Sequence, residues 1–194
     1  MTEKIILASA SPRRSQLLQE AGIRFEVIPS QVKEDEYKFD NISAVEYTRI
    51  LAKAKALDIA VKNPSRLVLG ADCVVSIDNH IIGKPKNEED AAKIIKLLFS
   101  KPHDVITSVS FIAINNGIEL METESTTVYP KNLTQKQIDD FIASGKWQGK
   151  AGGYGIQDPE TDDFIDSYEG SYTNVMGMPM ETVTEIIDEI FDRE

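Results

Sequence analysis

A run of nine residues near the middle of the chain, 67–75 (LVLGADCVV), is apolar except for one carboxylate. A continuous apolar run of this length is typical of a β-strand that is covered on both faces. Such a strand favours an α/β fold, in which helices pack against a sheet. A buried carboxylate is costly unless it is paired, binds a metal or is protonated, so Asp72 is a candidate functional residue. The alternative is that Asp72 is a hydrogen-bonded cap at a strand end.

Strand and helix patterns alternate along the rest of the chain. Strands are expected at 4–9 and 25–28, a hairpin arm at 80–85, and β-rich segments at 105–115 and 119–129. Helices are expected at about 12–21, 43–62, 87–99, 134–143 and 180–192. No repeat, low-complexity tract or linker divides the sequence. We therefore predict one domain over residues 1–194, with two tightly joined lobes as a variant, and a mixed sheet flanked by helices.

Charge and composition restrict the partners. The formal net charge of −11 argues against a nucleic-acid surface, which needs many Lys and Arg contacts to phosphates, so any phosphate site should be local and metal-assisted. The single cysteine, Cys73, excludes an internal disulfide and a thiolate cluster for zinc. We find neither a membrane-length apolar window nor a signal-like N-terminus, and so expect a cytoplasmic protein without membrane contact.

The segment ASASPRR, residues 8–14, places two arginines at the start of the first predicted helix. Free backbone N–H groups at a helix N-terminus favour anions, which makes adjacent cations unusual there. A bound phosphate would explain them, since Arg13 and Arg14 can contact phosphate oxygens and Ser9 and Ser11 add hydroxyl donors. The alternative is an ordinary Ser11 cap followed by solvated arginines. The segment is not a Walker loop, because Gly-x4-Gly-Lys-Ser/Thr is absent.

Other candidate residues are individually weak. Lys55 lies on the long second helix and Lys84 in a Gly-Lys-Pro turn, and each could be a solvated lysine. Glu34 is one of several acids in a charged segment. GKAGGYGIQ, residues 149–157, contains glycines that allow close backbone approach to a ligand, and Gln157 could contact a base edge. A flexible loop is the alternative for this segment and for EGSYTNVMGMP, residues 169–179.

Six motifs in order resemble those of the Maf family, named septum formation proteins, which are nucleotide pyrophosphatases related to the inosine triphosphate pyrophosphatases. They are LASASPRR, GADCVV, GKP, HDVITSV, GKAGGYGIQ and EGSYTNVMGMP, and they extend over nearly the whole length. The resemblance implies a mixed sheet around a long cleft, a divalent metal (Mg²⁺, Mn²⁺ or Co²⁺), and a nucleoside triphosphate substrate cleaved to monophosphate and pyrophosphate. The SPRR and AGGYGIQ forms resemble the branch that acts on dTTP and UTP.

The resemblance also implies roles for individual residues. Asp72 falls at the proton-acceptor position, and Asp72 with Glu34 at the metal position. The residues at substrate-binding positions are Ser9, Arg13, Arg14, Glu34, Lys55 and Lys84. The residues at positions linked to pyrimidine choice are an arginine of SPRR (Arg13 or Arg14), Cys73 and Gln157. Two features depart from the family pattern: Cys73 replaces the usual threonine, and DPETDD after Gln157 is unusually acidic.

The resulting hypothesis is hydrolysis of dTTP and UTP, or of modified pyrimidine nucleotides, in a house-cleaning role, with a homodimer left open. The first alternative is a nucleotide-binding regulator of cell division with little catalysis. The second is a calcium-binding module, because the acids 158, 160, 162 and 169 have a spacing similar to an EF-hand loop. Its sixth position needs glycine and holds Asp163, and no predicted helix precedes it.

Overall fold

The computed structural model describes residues 4–37, 42–161 and 163–192. Its strands form one seven-stranded mixed sheet in the order β2-β1-β3-β5-β6-β7, with β4 paired to β3. The strands are β1 (Ile5–Leu7), β2 (Phe25–Val27), β3 (Val68–Ile77), β4 (His80–Ile82), β5 (His103–Ala113), β6 (Ile118–Pro130) and β7 (Ile165–Glu169). The helices are α1 (Pro12–Glu20), α2 (Ala44–Ala60), α3 (Glu88–Leu98), α4 (Gln135–Ala143), α5 (Tyr172–Val175) and α6 (Met180–Asp192). The predicted α/β class with a mixed sheet is confirmed.

The apolar run predicted to be a central strand is β3. It pairs parallel with β1 and antiparallel with β4 and β5. Nine of its ten residues are buried, and the exception is Cys73. The buried carboxylate of Asp72 therefore lies in the middle of the sheet, with only 5% of the residue exposed.

Local sequence signals explain where several elements begin and turn. Ser43 and Glu46 form a capping box at the start of α2, and Asn87 caps α3. Between β3 and β4, Asp78 and Asn79 have positive φ angles of 50° and 63°. Asn and Asp tolerate this conformation better than other non-glycine residues, which suits a two-residue hairpin turn.

Helix α2 lies very close to β3. A Cβ atom on Gly70 would lie 2.4 Å from the carbonyl oxygen of Ala52 and 2.6 Å from the backbone nitrogen of Ala56. Only glycine fits at this crossing without moving the helix. The close contact between the two backbones matters for the site, because Lys55 on α2 and Asp72 on β3 both lie next to Gly70 in the structure.

The structure differs from the expectations in two places. The apolar spacing in the second helix predicts one buried face that includes Leu51 and Leu57. Leu57 is instead 41% exposed, because the buried face follows Ala52, Ala56 and Ile59. The sequence pattern also does not predict β7, whose residues are mostly exposed and which forms one edge of the sheet beside β6. An exposed edge strand lacks the apolar alternation that predicts a half-buried strand.

Among the residues that the structure describes, none of the helices is both long enough and apolar enough to cross a bilayer.

Candidate active site

One cleft of about 1200 Å³ brings together all the site residues proposed from the sequence. Its walls come from the β1–α1 connection, α2, the middle of β3, the segment after β4, and the glycine-rich segment 148–157. The predicted site residues that line it are Ser9, Arg13, Arg14, Glu34, Lys55, Asp72, Cys73, Lys84 and Gln157. These residues come from six separate parts of the sequence.

Lys55 connects the two acidic candidates. Its ammonium Nζ donates to Oδ1 of Asp72 at 2.6 Å and to Oε1 of Glu34 at 2.7 Å. The Lys55 and Asp72 side chains are only 12% and 8% exposed, whereas Glu34 is 42% exposed. The two carboxylates therefore face one cation position, with Asp72 at its buried side and Glu34 at its open side.

Burial and charge act in opposite directions on the two carboxyl groups. Burial raises the pKa of Asp72 above its ordinary value and outweighs the attraction of Lys55 and Arg14, with the Glu34 charge adding to the rise. Burial also opposes ionisation of Glu34, but the hydrogen bond and charge of Lys55, together with Lys84 and Arg14, lower its pKa overall. Asp72 is thus the better proton acceptor near neutral pH, and Glu34 stays ionised.

The two arginines of SPRR have different surroundings. Arg14 is buried, and its guanidinium donates to the carbonyl oxygens of Gly177 at 2.9 Å and Ala71 at 2.8 Å, and to Ser9 Oγ at 3.1 Å. Arg14 therefore ties α1 to β3 and to the segment after α5. These protein contacts account for its presence without a bound anion, which the sequence analysis did not foresee.

Arg13 and Lys84 are two of the cations of the cleft that remain available among the described residues, and Lys86 is a third. Within the described ranges, none of these three side chains makes a hydrogen bond or ion pair, and all three line the cleft. Burial lowers the pKa of the Arg13 guanidinium, against the opposing charge of Asp158. A partly buried guanidinium without a hydrogen-bonded carboxylate is suited to an anionic ligand.

Cys73 lies beside Arg14 on the opposite face of β3 from Asp72. Burial raises the pKa of its thiol, although a hydrogen bond with Thr107 and the Arg14 charge oppose this, so the thiol stays protonated at neutral pH. The Thr107 hydroxyl also donates to the carbonyl oxygen of Asn174 at 3.1 Å. Cys73 therefore contributes an uncharged side chain to the lining of the cleft.

Gln157 has an unsatisfied acceptor. Its Oε1 atom is buried and has no hydrogen-bond partner among the described residues. The next residue, Asp158, forms an ion pair with Lys150 in which the two side chains are 16% and 12% exposed. No sequence pattern singles out Lys150 as a site residue, and Asp158 is expected from the sequence only as an acid of the calcium alternative, although the acidity of the segment after Gln157 was a signal.

The acids of the calcium alternative are not gathered at one described position. Asp158 pairs with Lys150, and Glu160 pairs with Lys146. Glu169 accepts a hydrogen bond from Tyr129, and Asp162 lies outside the described residues. The described part of the chain contains no group of three or more His, Cys, Asp or Glu side chains suited to a metal ion.

The fold and the cleft together define an α/β protein whose cleft is lined by several cations and built around a buried carboxylate–lysine pair. The Maf-like protein family matches residues 4–190, and the chain belongs to this family. This confirms the resemblance carried by the six motifs.

Named relatives are similar over nearly their full length. A dTTP/UTP pyrophosphatase of Ruminiclostridium cellulolyticum is 37% identical, covering 97% of each chain. A dTTP/UTP pyrophosphatase of Geobacillus sp. is 40% identical over 95% of this chain and 97% of its own. One from Syntrophus aciditrophicus is 40% identical over 98% and 91%, respectively. The solved structure of a HAM1 protein from Coxiella burnetii covers 96% of this chain and 98% of its own with a TM-score of 0.50 at 14% identity, which confirms the expected fold.

Proposed function

We propose that this protein is a nucleoside triphosphate pyrophosphatase that hydrolyses dTTP and UTP to the monophosphate and pyrophosphate. The observation that carries the proposal is the Lys55–Asp72–Glu34 cluster in a cleft that also presents Arg13 and Lys84, two cations without a partner in the described part of the chain. The names of relatives with about 40% identity support the same reaction and substrates. The cytoplasmic location, the house-cleaning role and the homodimer stay predictions.

Asp72 would accept the proton of the attacking water. In the proposed reaction water attacks the α-phosphorus in line, the bond to the β-phosphate oxygen breaks, and pyrophosphate leaves. The raised pKa of Asp72 makes its carboxylate a better base near neutral pH than an exposed aspartate. Its backbone is fixed within β3, so the carboxylate is held in position before substrate binds.

The cationic side chains of the cleft would bind the phosphate groups of the substrate or balance charge beside them. Arg13 and Lys84 would contact phosphate oxygens, because within the described residues neither cation has to break a hydrogen bond or ion pair with the protein first. Lys55 would neutralise charge beside Asp72. Arg14 holds Ser9, Ala71 and Gly177 in place, so its main contribution is to keep the shape of the cleft.

A divalent metal fits the two acids only together with substrate. Asp72 and Glu34 each use one oxygen to accept from the Lys55 ammonium, so a metal would use the second oxygen of each carboxylate. Two carboxylates are too few for a complete protein site, but Mg²⁺ is commonly bound by one or two carboxylates with the remaining ligands from phosphates and water. Glu34 and Asp72 would hold Mg²⁺, Mn²⁺ or Co²⁺. When bound, such an ion offsets phosphate charge and lowers the pKa of a coordinated water.

The test is a screen of the four ribonucleoside triphosphates, dTTP and modified pyrimidine triphosphates with each of the three metals. Pyrophosphate release is measured with a coupled inorganic pyrophosphatase, and products are resolved by chromatography. We expect UMP and dTMP with equimolar pyrophosphate. Tight binding of UTP without product would contradict the proposal and support the nucleotide-binding regulator instead.

A further inference from the structure

The Lys150–Asp158 ion pair lies directly beside the side-chain amide of Gln157. A Cβ atom placed on Gly155 would lie 2.8 Å from Asp158 Oδ2 and 3.1 Å from Gln157 Nε2, so the two atoms converge above Gly155. The same Oδ2 atom pairs with Lys150 Nζ. Oδ2 of Asp158 and Nε2 of Gln157 therefore lie within about 6 Å of each other, so the carboxylate is near the amide nitrogen, although the described residues include no direct hydrogen bond between the two groups.

The backbone around Asp158 is fixed by further hydrogen bonds. Its N–H donates to the carbonyl oxygen of Gly155 at 3.1 Å, and its own carbonyl oxygen accepts from the N–H of Thr161 at 2.8 Å. The Thr161 hydroxyl, which is buried, donates to the carbonyl oxygens of Gly155 and Asp158 at 2.5 and 2.9 Å. Asp158 is thus held against the glycine-rich segment that lines the cleft.

A carboxylate beside a primary amide makes the two amide orientations unequal. With Nε2 towards Asp158, an N–H group faces the negative charge; after a flip, Oε1 would face it and be repelled. The observed orientation leaves Oε1 buried, facing no partner among the described residues. A buried acceptor without a partner is costly, so it favours a ligand that brings a donor.

We propose that the Lys150–Asp158 ion pair sets base choice by orienting Gln157, so that Oε1 accepts from the N3–H of uracil or thymine. The second Nε2 hydrogen remains for a base carbonyl oxygen. Cytosine has an acceptor at N3 and a donor at its 4-amino group, so it needs the flipped amide. This inference rests on the proposed function, because it concerns the same cleft and reaction. Lys150 and Asp158 act through Gln157 and are positioning residues.

The test compares kcat/KM for UTP and CTP in the wild type, Asp158→Asn and Glu160→Gln. The asparagine can donate as well as accept, so it removes the preference for one amide orientation. We expect kcat/KM for CTP to rise, that for UTP to stay within about threefold, and the UTP/CTP ratio to fall roughly 5- to 30-fold, as for the loss of one hydrogen bond. Glu160→Gln is the matched control, because its ion pair with Lys146 is exposed; its ratio should be unchanged.

Lys150 variants provide a second test if Asp158→Asn does not fold. Without the ammonium the Asp158 carboxylate is free to turn towards Arg13, whose charge it already faces. Lys150→Met should therefore lower the UTP/CTP ratio, and Lys150→Arg should retain it. Binding of UTP and CTP analogues with a non-hydrolysable α,β bridge, measured by calorimetry, should show the same change.

The outcomes separate this inference from the proposed function. If the wild type releases no pyrophosphate from UTP or dTTP, the proposed function fails before any variant is made. If the wild type is active and folded Asp158→Asn lowers UTP and CTP turnover equally, or leaves both unchanged, the orienting role is overturned. A gain with CTP cannot result from structural damage alone.

Discussion

The Nζ atom of Lys55 lies 2.6 Å from Oδ1 of Asp72, although the two residues come from different elements, α2 and β3. The contact exists because Gly70, two residues before Asp72, lets the helix backbone touch the strand. The result is a carboxylate that is buried, paired and still part of the cleft wall. This arrangement stabilises the charge of Asp72 while burial keeps its pKa raised.

Replacing Asp72 by asparagine should remove the proton acceptor. We expect turnover of UTP to fall about 10²- to 10⁴-fold, which is the range for loss of a general base. Asp78→Asn is the control, since Asp78 is exposed at the β3–β4 turn and pairs with Lys101. Both variants should keep the wild-type circular dichroism spectrum. Near-normal turnover in folded Asp72→Asn would exclude Asp72 from the mechanism.

Lys84→Ala should lower kcat/KM for every nucleoside triphosphate by a similar factor. Lys84 has no hydrogen-bond or ion-pair partner in the described residues, so its removal leaves no buried group unpaired and acts mainly on the triphosphate. A lost charge-assisted hydrogen bond corresponds to about 1.5–3 kcal/mol, or roughly 10- to 150-fold. Lys93→Ala, on the exposed face of α3, should have no effect. A change confined to one base would contradict phosphate contact.

Gln157→Ala should reduce kcat/KM for UTP and dTTP by roughly 5- to 150-fold, because the base loses a paired group worth about 1–3 kcal/mol. Poor substrates should be affected less. Cys73→Thr restores the usual family residue and should keep or improve the pyrimidine preference, since a hydroxyl hydrogen-bonds better than a thiol. Competition assays, in which two nucleoside triphosphates are present together, measure the substrate preference of both variants. An equal loss on all triphosphates in Gln157→Ala would mean that Gln157 does not contact the base.

Gly70→Ala should lower both stability and activity. The added methyl group would overlap the α2 backbone, and overpacking of this kind costs about 1–3 kcal/mol. Movement of α2 would also separate Lys55 from Asp72 and reduce turnover. Gly83→Ala is the matched control for stability, because a Cβ there would meet no atom within 4 Å. Urea denaturation compares the two, and equal midpoints would show that the close approach is not required.

His103 should make stability depend on pH. Its Nδ1 lies 3.0 Å from the Leu98 carbonyl oxygen, which can only accept, so Nε2 accepts from the Tyr154 hydroxyl at 2.7 Å. Burial lowers the pKa of His103, despite backbone contacts that favour the charged form. The unfolded chain therefore binds this proton more readily, and stability is lost as the pH falls below the ordinary histidine pKa of about 6.5.

The exposed His80 provides the comparison for His103. Urea midpoints measured from pH 7.5 to 5.5 should fall in the wild type and in His80→Gln, and less steeply in His103→Gln. The difference in slope, not the absolute stability, is the readout, because His103→Gln also loses packing. Parallel slopes for all three proteins would show that His103 does not take up a proton on unfolding.

The sequence by itself determined most of the elements and named the candidate site residues. The periodicity of apolar residues and the capping residues are local properties, so β3, α2 and α3 were predicted within a few positions. Asp72 was recognisable because one carboxylate in an apolar strand is costly wherever the strand packs. The six motifs gave the family, and with it residues from all parts of the cleft.

Only the tertiary structure decided which of these residues touch. Neither the pairing of Lys55 with Asp72 and Glu34 nor the three protein acceptors of Arg14 could be inferred from spacing. Contacts between distant segments depend on how closely two backbones approach, and at Gly70 that distance is set by atoms of α2. The Lys150–Asp158 pair was missed for a related reason: the orientation of an amide beside a carboxylate is a property of three-dimensional proximity, which no local pattern records.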